Sequence, residues 1–96
     1  MKNTKELLFW DVDTQKDFMD EDGALYVSGA EGLKPTIRNI TNFAENHNIK
    51  IIGSMDWHNK STEELKRNGG PFPDHCMENT EGAEKIPESK IEDIVY

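Results

Sequence analysis

The amino-acid sequence predicts an α/β fold built on parallel strands, and three observations carry that prediction. A short apolar run, Leu7-Leu8-Phe9-Trp10, leads into the carboxylates of Asp11-Val12-Asp13. A stretch of helical period follows, in which Leu33, Ile37, Ile40, Phe43/Ala44 and His47 share one face. A second apolar run, Ile49-Lys50-Ile51-Ile52-Gly53-Ser54-Met55, comes directly after it. Strand, helix and strand in this order make a βαβ unit, whose right-handed crossover leaves the two strands parallel.

Each element has local grounds. The first run is brief and reads as a buried strand that delivers carboxylates at its C-terminal end. Residues 18–32 are rich in Asp, Glu and Gly and read as a loop. Within that loop Asp22-Gly23 is a turn and Ala24-Leu25-Tyr26-Val27 a short extended piece. The helix is expected from about Lys34 to His47, with Pro35 in the first turn, where a missing N–H is harmless. Ser61 to Asn68 predicts one or two helical turns, with Ser61 as cap and Glu64 at the third position. Gly69 to Pro73 is an irregular loop, Ile86 to Lys90 a connection, and Ile91 to Tyr96 the start of a third strand. Three parallel strands with one long helix leave a sheet face uncovered. The expectation is therefore either a partner on that face or a chain that is the N-terminal part of a longer protein.

Bulk properties narrow the function classes. The 96 residues make at most one small domain, 1–96, with 34% apolar residues. A chain of this size buries only about 60–65% of its unfolded surface, so its stability is expected to be small. The formal net charge is −8 and the pI about 4.7. Such a chain repels phosphate backbones, which argues against nucleic acid as a partner. The only cysteine, Cys76, excludes an internal disulfide and a four-cysteine zinc knuckle. The N-terminal residues read neither as a signal peptide nor as a membrane span, so the expected location is cytoplasmic, with no membrane partner.

The residues that can carry chemistry gather at the predicted strand ends, where open parallel sheets bind their ligands. Asp13 closes the first strand, and Asp56-Trp57-His58 closes the second. His75 arrives on the later segment Pro71-Phe72-Pro73-Asp74-His75-Cys76. Asp56, His58 and His75 combine one carboxylate with two imidazoles, a set that suits one divalent ion, Zn, Fe or Mn, better than Ca or Mg. Asp13 is a candidate general base, a further ligand, or a loop carboxylate capping a turn. Phe18 and Trp57 can stack on a planar ligand or simply pack. Glu63 and Glu64 read as a solvated helix face, His47 as a structural or exposed helix residue, and Cys76 as a cysteine with nothing nearby to activate it.

Three segments together resemble one family. Asp13-Thr14-Gln15-Lys16-Asp17-Phe18 looks like its Asp-x-Gln-x-Asp-Phe signature, and Asp56-Trp57-His58 looks like its metal motif. Phe72-Pro73-Asp74-His75-Cys76, followed by Asn79-Thr80-Glu81-Gly82-Ala83, is similar to its Pro-Pro-His-Cys…Gly-Thr-x-Gly-Ala segment. The family is the nicotinamidase/pyrazinamidase branch of the isochorismatase-like cysteine hydrolases. The resemblance implies a three-layer, Rossmann-like, isochorismatase-like α/β fold with a parallel sheet, incomplete in this chain. It implies hydrolysis of nicotinamide to nicotinate and ammonia, a step of NAD salvage. It makes Asp13 the catalytic Asp, and Asp56, His58 and His75 ligands of one divalent metal ion that holds the pyridine nitrogen. A further family ligand, often His, follows the Asp-Trp-His motif; no His stands there, and Glu64 or its neighbour Glu63 is the candidate.

The family also uses a Lys and a nucleophilic Cys, and neither has a counterpart among these residues. Cys76 matches the cysteine after the metal His, and Lys85 and Lys90 precede the position of the catalytic Lys. The chain alone is therefore expected to lack appreciable amidase activity. The competing expectations are a non-catalytic metal-binding or interaction module, in which a homo-oligomer is expected, and a hydrolase of another small amide.

Overall fold

The computed structural model describes residues 6–91. Two strands, β1 (Leu8–Val12) and β2 (Lys50–Ser54), pair in parallel, with Leu8 opposite Lys50 and Val12 opposite Ser54. Between them lie a single helical turn, α1 (Lys16–Met19), a 3-10 turn at Ala30–Leu33, and the long helix α2 (Lys34–Asn46). This is the expected βαβ unit, and α2 ends one residue short of the expected His47. Pro35 sits in its first turn, and the Ile49 N–H bonds to the Ala44 carbonyl at 2.9 Å, which turns the chain directly into β2.

Alternation along β1 sorts its side chains. Asp11 is buried, while Leu8, Trp10 and Val12, on the opposite face, are 54%, 59% and 59% exposed. The expectation of a strand buried on both sides thus holds for one face only. Among the described residues nothing packs over the other, because two strands with one long helix supply material for a single covering layer. Ile40 and Phe43 on α2, and Leu33 just before it, are likewise exposed, while Thr41 and Ala44 are buried. The apolar centre lies beside α1, where Met19, Ala30 and Ile86 are buried together and Phe18, Tyr26 and Ile37 pack against them.

Three further expectations change. Ala24 to Val27 forms no strand: the segment wraps α1, with the Leu25 N–H bonded to the Asp17 carbonyl and the Val27 N–H to the Phe18 carbonyl. These bonds to a helical turn leave no ladder partner for an extended piece. The helical turn expected over Ser61 to Asn68 is confined to a 3-10 turn at Lys66–Asn68, and Ser61 does not cap it. Asn59 takes over the local capping instead, its side chain accepting the Ser61 N–H at 2.8 Å. The predicted third strand lies almost entirely outside the described residues, Ile91 alone being within them. No helix among the described residues is long and apolar enough to cross a membrane.

Candidate metal centre

The carboxyl ends of β1 and β2 open the site. Asp13 follows β1 directly, and its N–H extends the ladder to the Ser54 carbonyl at 3.1 Å. Its φ of 52° lies in the left-handed region, which is costly for a residue with a Cβ. That turn aims its carboxylate back across the strand ends, where Oδ1 accepts the Ser54 hydroxyl at 2.9 Å. Asp13 also forms part of the wall of a groove of about 490 Å³, together with Val12, Phe18, Met19 and Leu33.

Beyond β2 the chain gathers four side chains. One ligand-type atom from each of Asp56, His58, Glu64 and His75 lies within 4.8 Å of all the others. His58 Nε2 is 2.9 Å from Asp56 Oδ2 and 2.6 Å from Glu64 Oε1, and His75 Nε2 is 3.2 Å from the same Asp56 oxygen. Donors around a tetrahedral zinc ion stand about 3.3 Å apart, given bonds of about 2.0–2.1 Å. The cluster thus has the size of a first coordination sphere. His58 Nε2 supplies an independent test of fit: it is buried yet makes no hydrogen bond of proper geometry, despite two carboxylates beside it. An atom so placed suits a cation shared with its neighbours better than it suits those neighbours directly. Two carboxylates with two neutral imidazoles also balance a divalent charge, and the donor set fits Zn, Fe or Mn.

The surrounding backbone holds each of the four. His75 Nδ1 lies 2.7 Å from the Pro73 carbonyl, an arrangement that puts the proton on Nδ1 and leaves Nε2 as the free donor. His58 is laced to the His75 loop: its N–H bonds to the Cys76 carbonyl at 3.0 Å and its carbonyl accepts the Glu78 N–H at 2.7 Å. Glu64 is tied to the same loop from the other side, its carbonyl accepting the Phe72 N–H at 3.0 Å. A Cβ at Gly70 would collide with the Glu64 backbone, so this close approach requires glycine. Arg67 forks onto Asp74, next to His75, and the guanidinium holds the Asp74 carboxyl below the ordinary carboxylate range.

The other candidates fall around this cluster. Glu64, not Glu63, enters the group; Glu63 is exposed. Phe18 approaches His75 with ring centroids 5.6 Å apart, while Trp57 is half exposed. His47 stacks on Phe43 at the end of α2, away from the cluster. Cys76 is fully buried, and burial, followed by the charges of Asp17, Asp56 and Asp13, pushes its thiol up to about 12. It is a neutral thiol, without the character of a nucleophile. Lys85 is also buried, 2.7 Å from the Ser54 carbonyl and 3.4 Å from the buried Asp11 carboxylate; burial lowers its pKa against the opposing pull of Asp11.

Two residues of the Asp13–Phe18 segment do more than sequence reasoning assigned to them. Gln15 is completely buried and bonds to the backbone of Asp56, and Asp17 accepts the Cys76 N–H at 2.7 Å and the Ala24 N–H at 3.1 Å. A Cβ at Gly82 would displace the Asp17 carboxylate from these two N–H groups. The sequence singled both out as members of the Asp-x-Gln-x-Asp-Phe segment but not their task, because the Asp56 and Cys76 backbone groups they hold lie 41 and 59 residues away.

Comparison with solved structures gives a consistent result. The pyrazinamidase of Pyrococcus horikoshii in complex with zinc is 33% identical, covers 94% of this chain and 49% of its own length, and superposes with a TM-score of 0.87. A protein from L. infantum in complex with nicotinate is 23% identical over 97% of this chain and 47% of its own, with a TM-score of 0.81. Yeast nicotinamidase bound to the inhibitor nicotinaldehyde is 23% identical over 84% of this chain and 49% of its own, with a TM-score of 0.75. At 23% identity the last two show the fold alone. No protein-family model and no curated protein matches the chain. The chain spans about half the length of the solved structures it matches. It resembles the N-terminal half of a nicotinamidase/pyrazinamidase, with the isochorismatase-like α/β fold in partial form.

Proposed function

We propose that this chain carries the metal-binding and general-base part of a nicotinamidase-like amidase that hydrolyses nicotinamide to nicotinate and ammonia. The observation that carries the reading is the gathering of Asp56, His58, Glu64 and His75 around a buried, unbonded imidazole nitrogen. The likeness to a 33% identical pyrazinamidase in complex with zinc supports it, as do similar folds in complex with nicotinate and with nicotinaldehyde.

In this reading the four side chains hold one divalent ion, Zn, Fe or Mn. When bound, that ion supplies a Lewis-acid point that can take the lone pair of a pyridine nitrogen. Phe18, against His75, and the half-exposed Trp57 offer flat faces for a heteroaromatic ring. Asp13, whose Oδ1 accepts the Ser54 hydroxyl, is in this reading the group that takes a proton at its carboxylate from an attacking nucleophile. Amide hydrolysis also needs that nucleophile and a cation beside it. Cys76 does not fill the role, being buried and protonated. The 96 residues alone are therefore proposed to bind metal and ring without turning over. A cytoplasmic setting accords with the free thiol of Cys76.

The same buried thiol favours a second reading, a non-catalytic metal-binding module. One set of measurements tests both. The purified chain is loaded with Zn²⁺, its metal content is determined, and nicotinamide is titrated into the loaded and chelator-stripped forms. One bound ion with metal-dependent nicotinamide binding is the expected result, and metal uptake with no ring binding selects the module. A chain that takes up no metal overturns both readings, and ammonia release at an enzyme-like rate overturns the proposed inactivity.

A further inference from the structure

We propose that Gln15 is a positioning residue for the metal centre: it sets the backbone of Asp56, and through it the carboxylate shared by the two imidazoles. The inference rests on the metal-site reading above and goes beyond it, since Gln15 is not one of the four donors.

The Gln15 side chain is fully buried, and its carboxamide meets both backbone groups of one residue. Nε2 donates to the Asp56 carbonyl at 2.7 Å, and Oε1 accepts the Asp56 N–H at 2.7 Å. This double bond pattern is that of one rung of an antiparallel ladder, made here by a side chain. The second Nε2 hydrogen goes to the Ala83 carbonyl at 2.8 Å, so both donors are used. The partners fix the orientation of the amide: a flipped group would set NH₂ against the Asp56 N–H and oxygen against two carbonyls.

The base of Gln15 is equally constrained. Its N–H bonds to the Asp13 carbonyl, the Lys16 N–H to the Glu84 carbonyl and the Ile86 N–H to the Thr14 carbonyl. Asp56 follows β2 after one residue and lies in no regular element, so no ladder holds it. Yet its Oδ2 stands 2.9 Å from His58 Nε2 and 3.2 Å from His75 Nε2, closer to both than a freely turning loop would keep it. Gln15 is the group that removes this freedom. It also links the Asp13 turn to the metal loop, so the proposed base and the proposed ligand move as one body. Partners outside the coordination sphere commonly change metal affinity by about 10–100-fold when removed.

The test uses Co²⁺ as the probe on the 96-residue chain, because its visible absorption reports both affinity and geometry. Gln15→Met keeps the volume and removes all three bonds, Gln15→Glu keeps only the acceptor, and Ile37→Ala is a core control away from the site. The expected result is a Co²⁺ affinity about 10–100-fold weaker in Gln15→Met, with an altered band shape. Ile37→Ala should lower the melting temperature and keep both affinity and spectrum. Gln15→Met or Gln15→Glu with wild-type affinity and spectrum overturns the positioning role and leaves the metal site standing. Wild-type chain that binds no Co²⁺ removes the metal site itself. A readout on the metal-free wild type needs no variant to fold: the Asp56 amide should exchange with solvent as slowly as the β1–β2 ladder amides. Fast exchange there refutes the clamp.

Discussion

Glu64 is the ligand candidate for which the sequence offered two neighbouring choices, and Glu64→Gln separates them. The substitution preserves shape and removes one of two carboxylates from a four-donor cluster, hence half of its negative charge. Without metal the effect should be small, within about 1 kcal/mol, because Glu64 is partly exposed and solvent screens its carboxylate. With metal the effect is large. At a Zn²⁺ concentration about 100 times the wild-type Kd, binding adds about 2.7 kcal/mol of stability. Loss of a direct donor should weaken Kd at least as much as the roughly hundredfold upper end for outer partners. The variant then sits near its own Kd and gains only about 0.4 kcal/mol. The difference of about 2.3 kcal/mol corresponds to roughly 9–18 °C in melting temperature for a domain of this size. The assay is thermal unfolding by circular dichroism with and without Zn²⁺, with Glu63→Gln as the matched control. A zinc-induced shift in Glu64→Gln equal to that of wild type would refute the reasoning, and a collapse of the shift in Glu63→Gln would reassign the ligand.

Other outcomes follow from the same geometry. Alkylation of Cys76 at neutral pH should be at least about 100-fold slower in the folded chain than in denaturant, because the thiol is buried and protonated; comparable rates would show an accessible thiol. Lys85→Met should cost about 3–5 kcal/mol by stranding the buried Asp11 carboxylate, and Asp11→Asn in the same chain should recover part of it, as read by urea unfolding. Burial depresses the folded pKa of Lys85 below 10.5, so between that lowered value and 10.5 the unfolded chain holds the extra proton. The stability of wild type relative to Lys85→Met should therefore rise with pH through that window, and a falling difference would contradict the sign. On the sheet, Val12→Thr should stay within about 0.5 kcal/mol of wild type and Ile51→Ala should cost about 2–5 kcal/mol, since Val12 is exposed and Ile51 buried.

The legible part of this chain is what local periodicity and spacing encode. α2 was readable because its apolar residues recur every three or four positions and Pro35 marks its start, and β2 because the Ile-rich segment Ile49 to Met55 follows it. Asp56 and His58 were readable as a pair because two residues of spacing past a strand end place both side chains at one opening. The one-sided burial of β1 was not readable: an apolar run states that residues prefer cover, and says nothing of whether cover exists. The turn at Ala24 to Val27 was lost for a related reason, since bonds to α1 outweigh the extended preference of Tyr26 and Val27. The choice of Glu64 over Glu63 depends on the bridge between Leu65 and Phe72, which brings residue 64 toward His58. No local pattern at 63 and 64 contains that bridge.

The four-residue cluster is held in place beside a sheet that is thinly covered. None of the four clustered side chains stands on a strand; all come from the irregular segments that follow β2. What fixes them is cross-bonding among loops: His58 to Cys76 and Glu78, Glu64 to Phe72, Cys76 to Asp17, and Asp56 to Gln15. Most of these bonds are made by backbone groups, and the two side chains that join them, Gln15 and Asp17, come from the segment after β1. The strands therefore contribute mainly by bringing residues 13–17 and 56–58 to one end of the molecule, which two paired strands already accomplish. Cover over Leu8, Trp10 and Val12 would add stability to the sheet through apolar burial, while the donor geometry is set on the other side of these bonds. A change that stabilises the exposed face should accordingly raise the melting temperature and leave Co²⁺ affinity unmoved. A coupled change in both would mean that the loops take their geometry from the sheet.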